Sequence, residues 1–175
     1  HNGRITAHTA YPSIFTAGQG ATIVFRHIHH PAIFEWVKTF VEKNQFTGQI
    51  AFDFIQSPDG RIFALECNPR ATSGAHLLAS HPQFAEAFSN PALECITPLD
   101  GHSYMLASAM LIYGFPTAFM EYGFLQWAKT FFTSSDVIMG LKDPLPFLLQ
   151  ARSIFSYLKI AREQKLSALE ASTFD

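Results

Sequence analysis

The sequence has few charged residues and only two cysteines. Charged side chains make up 15% of its 175 residues, and 12 Lys and Arg residues nearly balance 14 Asp and Glu residues. Because there is no basic run, we do not expect nucleic acid as a partner. Cys67 and Cys95 are too few for a disulfide framework, and the first residues do not resemble a signal peptide. We therefore expect a reducing, cytoplasmic setting.

Long uninterrupted apolar runs are also missing. The most apolar stretch, residues 104–120, contains Gly114 and Pro116. No run reaches the roughly 18 residues that a membrane-spanning helix requires, so we do not expect a membrane segment. Phenylalanine is abundant instead, with 18 residues, many of them after residue 110. These rings either fill a core or form a surface that another part of the protein covers, and the sequence leaves both interpretations open.

Apolar periodicity and turn residues predict strands first and helices afterwards. The strands are expected over 4–10, 21–28, 47–56 and 61–68, and the helices over 31–43, 82–88, 103–113, 116–132 and 144–164, with further helical turns over 167–173. In the helix over 31–43 one apolar face is expected, formed by Ile33, Trp36, Val37, Phe40 and Val41. This order predicts an α+β fold: an antiparallel sheet with flanking helices in residues 1–100, and a mostly helical extension in 101–175 packed on it.

The strands 47–56 and 61–68 flank Ser57-Pro58-Asp59-Gly60, which is strong turn chemistry and predicts a β-hairpin. We expect a loop of two or four residues. In both cases side-chain alternation places Asp53, Glu66 and Asn68 on one face with Ala51 and Ala64. The other, packed face is expected to hold Phe52, Phe54, Phe63, Leu65 and Cys67. Asp53 lies directly opposite Glu66 with the two-residue loop, and one diagonal away with the four-residue loop.

Two carboxylates this close repel each other unless a cation lies between them. Oxygen ligands on a hairpin suit Mg²⁺, which commonly binds one or two carboxylates and completes its shell with water and phosphate. The alternative is a solvated acidic pair on an open sheet face. The following Asn68-Pro69-Arg70 favours a binding site, because Asn68 offers a further oxygen and Arg70 a permanent cation able to bind phosphate in bidentate fashion.

The segment 48–74, GQIAFDFIQSPDGRIFALECNPRATSG, resembles the hairpin of ATP-grasp ligases, in particular the carbamoyl-phosphate-synthase-like and carboxylate–amine ligase branches. Asp53 matches the acidic position of the first strand, and Glu66, Asn68 and Arg70 match the Glu-x-Asn-Pro-Arg motif of the second. The resemblance implies that Asp53, Glu66 and Asn68 ligate Mg²⁺ or Mn²⁺ at the ATP phosphates, and that Arg70 is the catalytic residue at the reacting phosphate.

Two hydroxyl residues follow this motif. Thr72 and Ser73 could join Asn68 and Arg70 in binding ATP, since their hydroxyl and amide groups can donate to an anion. A capping turn before a helix explains Thr72 and Ser73 equally well.

The resemblance further implies an ATP-dependent ligase that activates a carboxylate as an acyl phosphate for attack by an amine or a similar nucleophile. Its partners would be a small-molecule carboxylate and that nucleophile. The N-terminal substrate domain, the phosphate-binding lysines and the glycine-rich loop of such enzymes are not visible here. We therefore expect a C-terminal portion that is inactive without the missing N-terminal part, and a homodimer is one possible assembly. The alternative is a degenerate module that binds a nucleotide or a partner without turnover.

Two further clusters carry weaker signals. His27, His29 and His30 follow Arg26 at a strand end, but no acid or cysteine at suitable spacing joins them, so a polar strand end is favoured over a metal site. Gly18-Gln19-Gly20 is too short for a phosphate cradle and indicates a turn.

Overall fold

The computed structural model describes residues 1–17, 21–99, 101–118, 123–140 and 143–164. Within the chain, contacts define two compact units. Unit 1 contains residues 1–12 and 25–103, and unit 2 contains the described parts of 13–24 and 104–175. Small sheets and several helices are mixed along the chain, which confirms the α+β class. The division into an ATP-grasp portion over 1–100 and a helical extension over 101–175 stays a prediction.

The strands are short and the helices uneven in length. The strands are β1 (Thr16–Ala17), β2 (Ala21–Thr22), β3 (Val24–Arg26), β4 (Ala51–Gln56), β5 (Ile62–Asn68), β6 (Ser103–Met105) and β7 (Ser135–Asp136). The α-helices are α1 (Pro31–Lys43), α2 (Ala107–Ala109), α3 (Phe115–Thr117), α4 (Phe124–Thr133) and α5 (Leu145–Gln164). Ser73–Leu77 and Glu86–Phe88 form 3₁₀ turns, and Met110–Gly114 is a π-helical turn between α2 and α3.

Helix α1 has the predicted bounds. Pro31 suits the first turn because its missing N–H would have no partner there. The side chain of His30 caps the helix, since its Nδ1 accepts a hydrogen bond from the Ile33 amide at 3.3 Å. The predicted apolar face is confirmed: Val41 is buried, and Ile33, Trp36, Val37 and Phe40 are half-buried.

The two N-terminal strand predictions are wrong in different ways. Residues 4–10 form no strand: Ala7 makes a single parallel bridge with Ile96, flanked by hydrogen bonds between His8 and Ile96 and between Ile96 and Thr6. The strand over 21–28 is divided into β2 and β3, because β2 pairs with β1 while β3 belongs to another sheet, next to β6. The amide of Ile23 donates to the carbonyl of Phe15 at 2.9 Å and so continues the β1–β2 pairing by one residue. Strands β1 and β2 pair antiparallel, with Thr16 opposite Thr22.

The helices after residue 80 follow the predictions only in part. Residues 82–88 contain a 3₁₀ turn rather than a short helix. The helix over 103–113 starts late, because β6 pairs in parallel with β7, and the strand order in this sheet is β3-β6-β7. Asp136 then accepts a hydrogen bond from the Ala107 amide at 2.6 Å where α2 begins.

The last helix predictions also differ in outcome. The helix over 116–132 is not continuous, since α4 begins only after Gly123, whose φ of 81° is left-handed. Helix α5 confirms the prediction over 144–164 within one residue. The turns over 167–173 and Gly18-Gln19-Gly20 lie outside the described residues. In the part of the chain that the structure describes, no helix is both long and apolar enough to cross a lipid bilayer.

Each unit has its own apolar core. The core of unit 2 is built around Phe15, Ile23, Met110 and Trp127, whose indole Nε1 donates to the carbonyl of Met110 at 3.1 Å. Unit 1 has a smaller cluster of Leu78, Ala87, Leu93 and Ile96. The phenylalanines after residue 110 are divided between core and surface: Phe131 and Phe147 pack on the core of unit 2, whereas Phe132 is 81% exposed and Phe155 74% exposed.

Candidate cation and phosphate site

The hairpin turn is a three-residue loop, so both predicted loop lengths are wrong. Ser57 and Arg61 are paired by a backbone hydrogen bond of 2.9 Å, and the amide of Gly60 donates to the carbonyl of Ser57 at 2.8 Å. Gly60 has a φ of 86°, the left-handed conformation that follows a type I turn in such loops. Hydrogen bonds from Ser57 and then Arg61 lower the pKa of Asp59, and Arg61 Nε lies 2.7 Å from its carboxylate.

A bulge in β5 determines which residues face each other. From the turn, Ile55 is opposite Phe63 and Phe54 is opposite Ala64, but the next pair is Asp53 and Glu66. Leu65 is therefore the extra residue. Without the bulge Asp53 would lie opposite Leu65, and Glu66 would belong to the opposite face. The irregularity thus brings Asp53 directly opposite Glu66, as one of the two predicted registers required.

Between the turn and the bulge, the three-residue loop changes the predicted faces. Phe52 and Phe54 form the packed face: each lies edge-on to Trp36 of α1 at 5.1 Å. Phe63, predicted to be on that face, lies opposite Ile55 on the side of Asp53.

Three more face assignments are corrected. Ala64 lies opposite Phe54 rather than beside Asp53, because the bulge comes between Ala64 and Glu66. Leu65 is 67% exposed, since the bulge takes it out of the pairing. Cys67 shares the side of Phe52, yet it is exposed and free rather than packed. The face of the acidic pair is thus more apolar toward the turn than the sequence predicts.

The segment after the hairpin turns sharply and stays near its end. Asn68 lies opposite Ala51, on the face of Asp53 and Glu66. The amide of Arg70 donates to the carbonyl of Asn68 at 2.8 Å, and the exposed guanidinium donates to the carbonyl of Ala71 at 3.3 Å. The two salt bridges among the described residues join Arg61 to Asp59 and Lys159 to Glu163, so they leave the acidic pair and Arg70 available for ligands.

Thr72 and Ser73 lie at the start of a 3₁₀ turn, and their hydrogen bonds show whether they cap it. Thr72 precedes the 3₁₀ turn Ser73–Leu77, and its carbonyl accepts a hydrogen bond from the Ala75 amide at 3.0 Å. The Thr72 side chain makes no capping hydrogen bond. The backbone therefore forms the predicted capping turn, while the side chain of Thr72 takes no part in it and instead lowers the pKa of Tyr11.

Tyr11 is a neighbour of the site that the sequence does not predict. Its ring lies edge-on to Phe25 at 5.4 Å. Burial raises the pKa of Tyr11, the Asp53 carboxylate adds to the rise, and hydrogen bonds with the Thr72 side chain and the Gly74 backbone oppose it. Tyr11 is thus in contact with the segment that follows the acidic pair and within electrostatic range of Asp53. A tyrosine in a loop before a strand has no pattern that would have indicated this contact.

The histidines form a separate polar cluster. Burial, and then the charges of His27 and His29, lower the pKa of His8 from 6.5 to about 4. Thr9 Oγ1 lies 3.2 Å from Nδ1 of His27. Among the residues that the structure describes, no group of three or more His, Cys, Asp or Glu side chains is placed to hold a metal ion.

The acidic pair suits a hard cation, with other ligands completing the coordination shell of the ion. Directly opposite residues in a hairpin have Cβ atoms about 5 Å apart, so two carboxylates can converge on one ion. Two carboxylates and an amide oxygen are too few for a closed site, but they suit Mg²⁺ or Mn²⁺ that also binds water and phosphate. Arg70 and the hydroxyls of Thr72 and Ser73 lie on the segment next to them and can donate to such a phosphate.

Comparison of the chain with protein-family models, with curated proteins and with solved structures returned no match.

Proposed function

We propose that this chain is the C-terminal portion of an ATP-grasp ligase that activates a small-molecule carboxylate as an acyl phosphate for attack by an amine or a similar nucleophile. The small sheets and helices would belong to the C-terminal lobe of that fold. Both cysteines are free, and a reducing, cytoplasmic setting is part of the same proposal. The chain would require the N-terminal portion of the protein for activity.

The observation that supports this proposal most is the pairing of Asp53 with Glu66. With the observed three-residue loop and no bulge, the two acids would lie on opposite faces. The pairing brings two carboxylates and Asn68 to one face, next to a segment that carries Arg70. A solvated surface pair would not need a bulge to bring the two acids opposite each other.

Each residue then has a defined task. Asp53, Glu66 and Asn68 would hold Mg²⁺ or Mn²⁺, which supplies charge neutralisation at the phosphates of ATP when bound. Arg70 would bind the transferred phosphate in bidentate fashion and stabilise its charge. Thr72 and Ser73 would donate hydrogen bonds to the same anion. The chemistry requires no nucleophile from this chain.

The test is ATP-dependent phosphate release by the whole protein across a panel of carboxylic acids and amines. Asp53→Ala and Glu66→Ala should each abolish acid-dependent release. Asp59→Ala is the matched control, because Asp59 lies on the same hairpin but pairs with Arg61 at the turn. Normal turnover in both site variants would refute the assignment of the site.

A second candidate is a module that binds a nucleotide or a partner without turnover. It is favoured by the exposed apolar side chains of unit 2, where Leu125 is 83% exposed, Phe132 81% and Phe155 74%. Nucleotide binding by the whole protein without phosphate release for any acid would support this candidate over the ligase.

A further inference from the structure

The contact between Tyr11 and Gly74 links residues distant in sequence. A Cβ atom at Gly74 would lie 2.8 Å from Cε1 of Tyr11 and 3.3 Å from Cγ2 of Thr9, so the ring and the backbone are already in close contact. The ring also lies edge-on to Phe25, with the ring centroids 5.4 Å apart. Gly74 is buried, while Arg70 and Ser73 in the same segment are exposed. One end of the segment is thus anchored and the other faces solvent.

We propose that Tyr11 is a positioning residue: its ring and hydroxyl hold the segment 70–74 beside the Asp53–Glu66 pair, so that the donors of the segment and the two carboxylates act on one metal–phosphate ligand. This inference rests on the proposed function. It adds a residue that touches neither the ion nor the phosphate and acts through Thr72 and Gly74. The contact with Gly74 places the ring against the segment, and the charge of Asp53 contributes to the raised pKa of Tyr11.

The contact can be disturbed from both sides. Tyr11→Phe removes the hydroxyl and keeps the ring, whereas Tyr11→Leu removes both. Gly74→Ala adds a methyl group that collides with the ring; the φ of Gly74 lies outside the left-handed region, so the collision is the main effect. Tyr104→Phe, which changes a tyrosine of β6, is the matched control.

The experiment uses two probes on the full chain. The affinity for Mn²⁺ alone is measured from the electron spin resonance of the free ion, and the affinity for inorganic tripolyphosphate is then measured by calorimetry at saturating Mn²⁺. The first probe depends on Asp53 and Glu66. The second depends in addition on the segment 70–74.

We expect the variants of Tyr11 and Gly74 to keep the Mn²⁺ affinity within about twofold, because they leave the carboxylates in place. Tripolyphosphate affinity should fall about tenfold in Tyr11→Leu and Gly74→Ala, comparable with the loss of one charge-assisted contact. Tyr11→Phe should lose only about threefold, because its ring still fills the gap. This partial rescue by the conservative variant is the signature of positioning.

The outcomes distinguish a failure of the positioning role of Tyr11 from a failure of the proposed cation site. If Mn²⁺ binds and tripolyphosphate affinity is equal in the wild type and all Tyr11 and Gly74 variants, the positioning role is wrong and the cation site stands. The same conclusion follows if the Mn²⁺-loaded wild type does not bind tripolyphosphate. If Asp53→Asn and Glu66→Gln leave Mn²⁺ affinity unchanged, the proposed function itself fails. Should Tyr11→Leu not fold, Tyr11→Phe and Gly74→Ala still decide the matter.

Discussion

Replacing Asp53 by asparagine should change the stability of the chain in opposite directions with and without a divalent cation. In the absence of the cation, two exposed carboxylates face each other across the hairpin at about 5 Å. In a water-like dielectric this repulsion is about 1 kcal/mol at low ionic strength. Asp53→Asn removes it, so the variant should be more stable than the wild type by up to that amount.

Magnesium should reverse the order. An ion that binds only the folded state at ten times its dissociation constant stabilises it by about 1.4 kcal/mol. The wild type should gain this stabilisation, and Asp53→Asn should gain little, because one of the two carboxylates is missing. For a chain of this size 1 kcal/mol corresponds to about 2–4 °C in the melting temperature.

The assay is thermal unfolding followed by circular dichroism, in EDTA and then in increasing MgCl₂, at low and at high NaCl. Asp59→Asn is the control on the same hairpin, since Asp59 pairs with Arg61 and does not face Glu66. It should show no gain in EDTA and an unchanged response to Mg²⁺. Equal responses of Asp53→Asn and the wild type to Mg²⁺ would refute the reasoning, as would a loss of stability in EDTA.

Three other perturbations test the fold around the site. Trp36→Ala should lower the free energy of unfolding by about 2 kcal/mol in a denaturant titration, because this half-buried ring contacts Phe52 and Phe54. The folded-state pKa of His8 lies below its unfolded value, so stability should fall by about 2 kcal/mol as pH falls from about 6.5 toward 4, and His8→Phe should remove most of that fall. Deletion of Leu65 should preserve the response to Mg²⁺, because the pairing then continues directly from Ala64 to Glu66.

Each of these predictions has a contradicting outcome. Leu125→Ala is the control for Trp36→Ala: at 83% exposure it should change stability by less than about 0.5 kcal/mol, and an equal loss in both would contradict the packing of α1 on the hairpin. An unchanged pH profile in His8→Phe would show that other groups cause the acid sensitivity. Loss of the Mg²⁺ response on deletion of Leu65 would show that the bulge itself shapes the site.

In the hairpin, the local sequence predicts the position of the turn but not the register of the two strands. Ser57-Pro58-Asp59-Gly60 predicted the turn correctly, because proline restricts φ and glycine accepts the left-handed φ that Gly60 has in the turn. The loop length was wrong, and a strand built outward from the true loop would have separated Asp53 from Glu66. The bulge at Leu65 restores the pair. Neither the strand propensity nor the apolarity of Leu65 indicates a bulge, since its position depends on how both strands pack.

Long-range pairing explains most of the remaining differences. Helix α1 was predicted to the residue because its first-turn proline and its apolar face are local signals. Residues 4–10 alternate like a strand, but only Ala7 forms a bridge, with Ile96. Residues 103–113 have an apolar pattern suited to a helix, but Tyr104 and Met105 instead pair with Ser135 and Asp136. The contact of Tyr11 with Gly74 belongs to the same class, because no local pattern links positions so far apart.

The segment 13–24 carries a consequence for how the protein is made. Phe15 and Ile23 are fully buried in unit 2, but they leave the ribosome about 100 residues before Met110 and Trp127, the side chains that cover them. At a translation rate of about 5–20 residues per second, Met110 and Trp127 are synthesised roughly 5–20 s after these early apolar side chains. During that interval the nascent chain exposes a short apolar segment. The core of unit 2 cannot form until α4, which carries Trp127, has been synthesised.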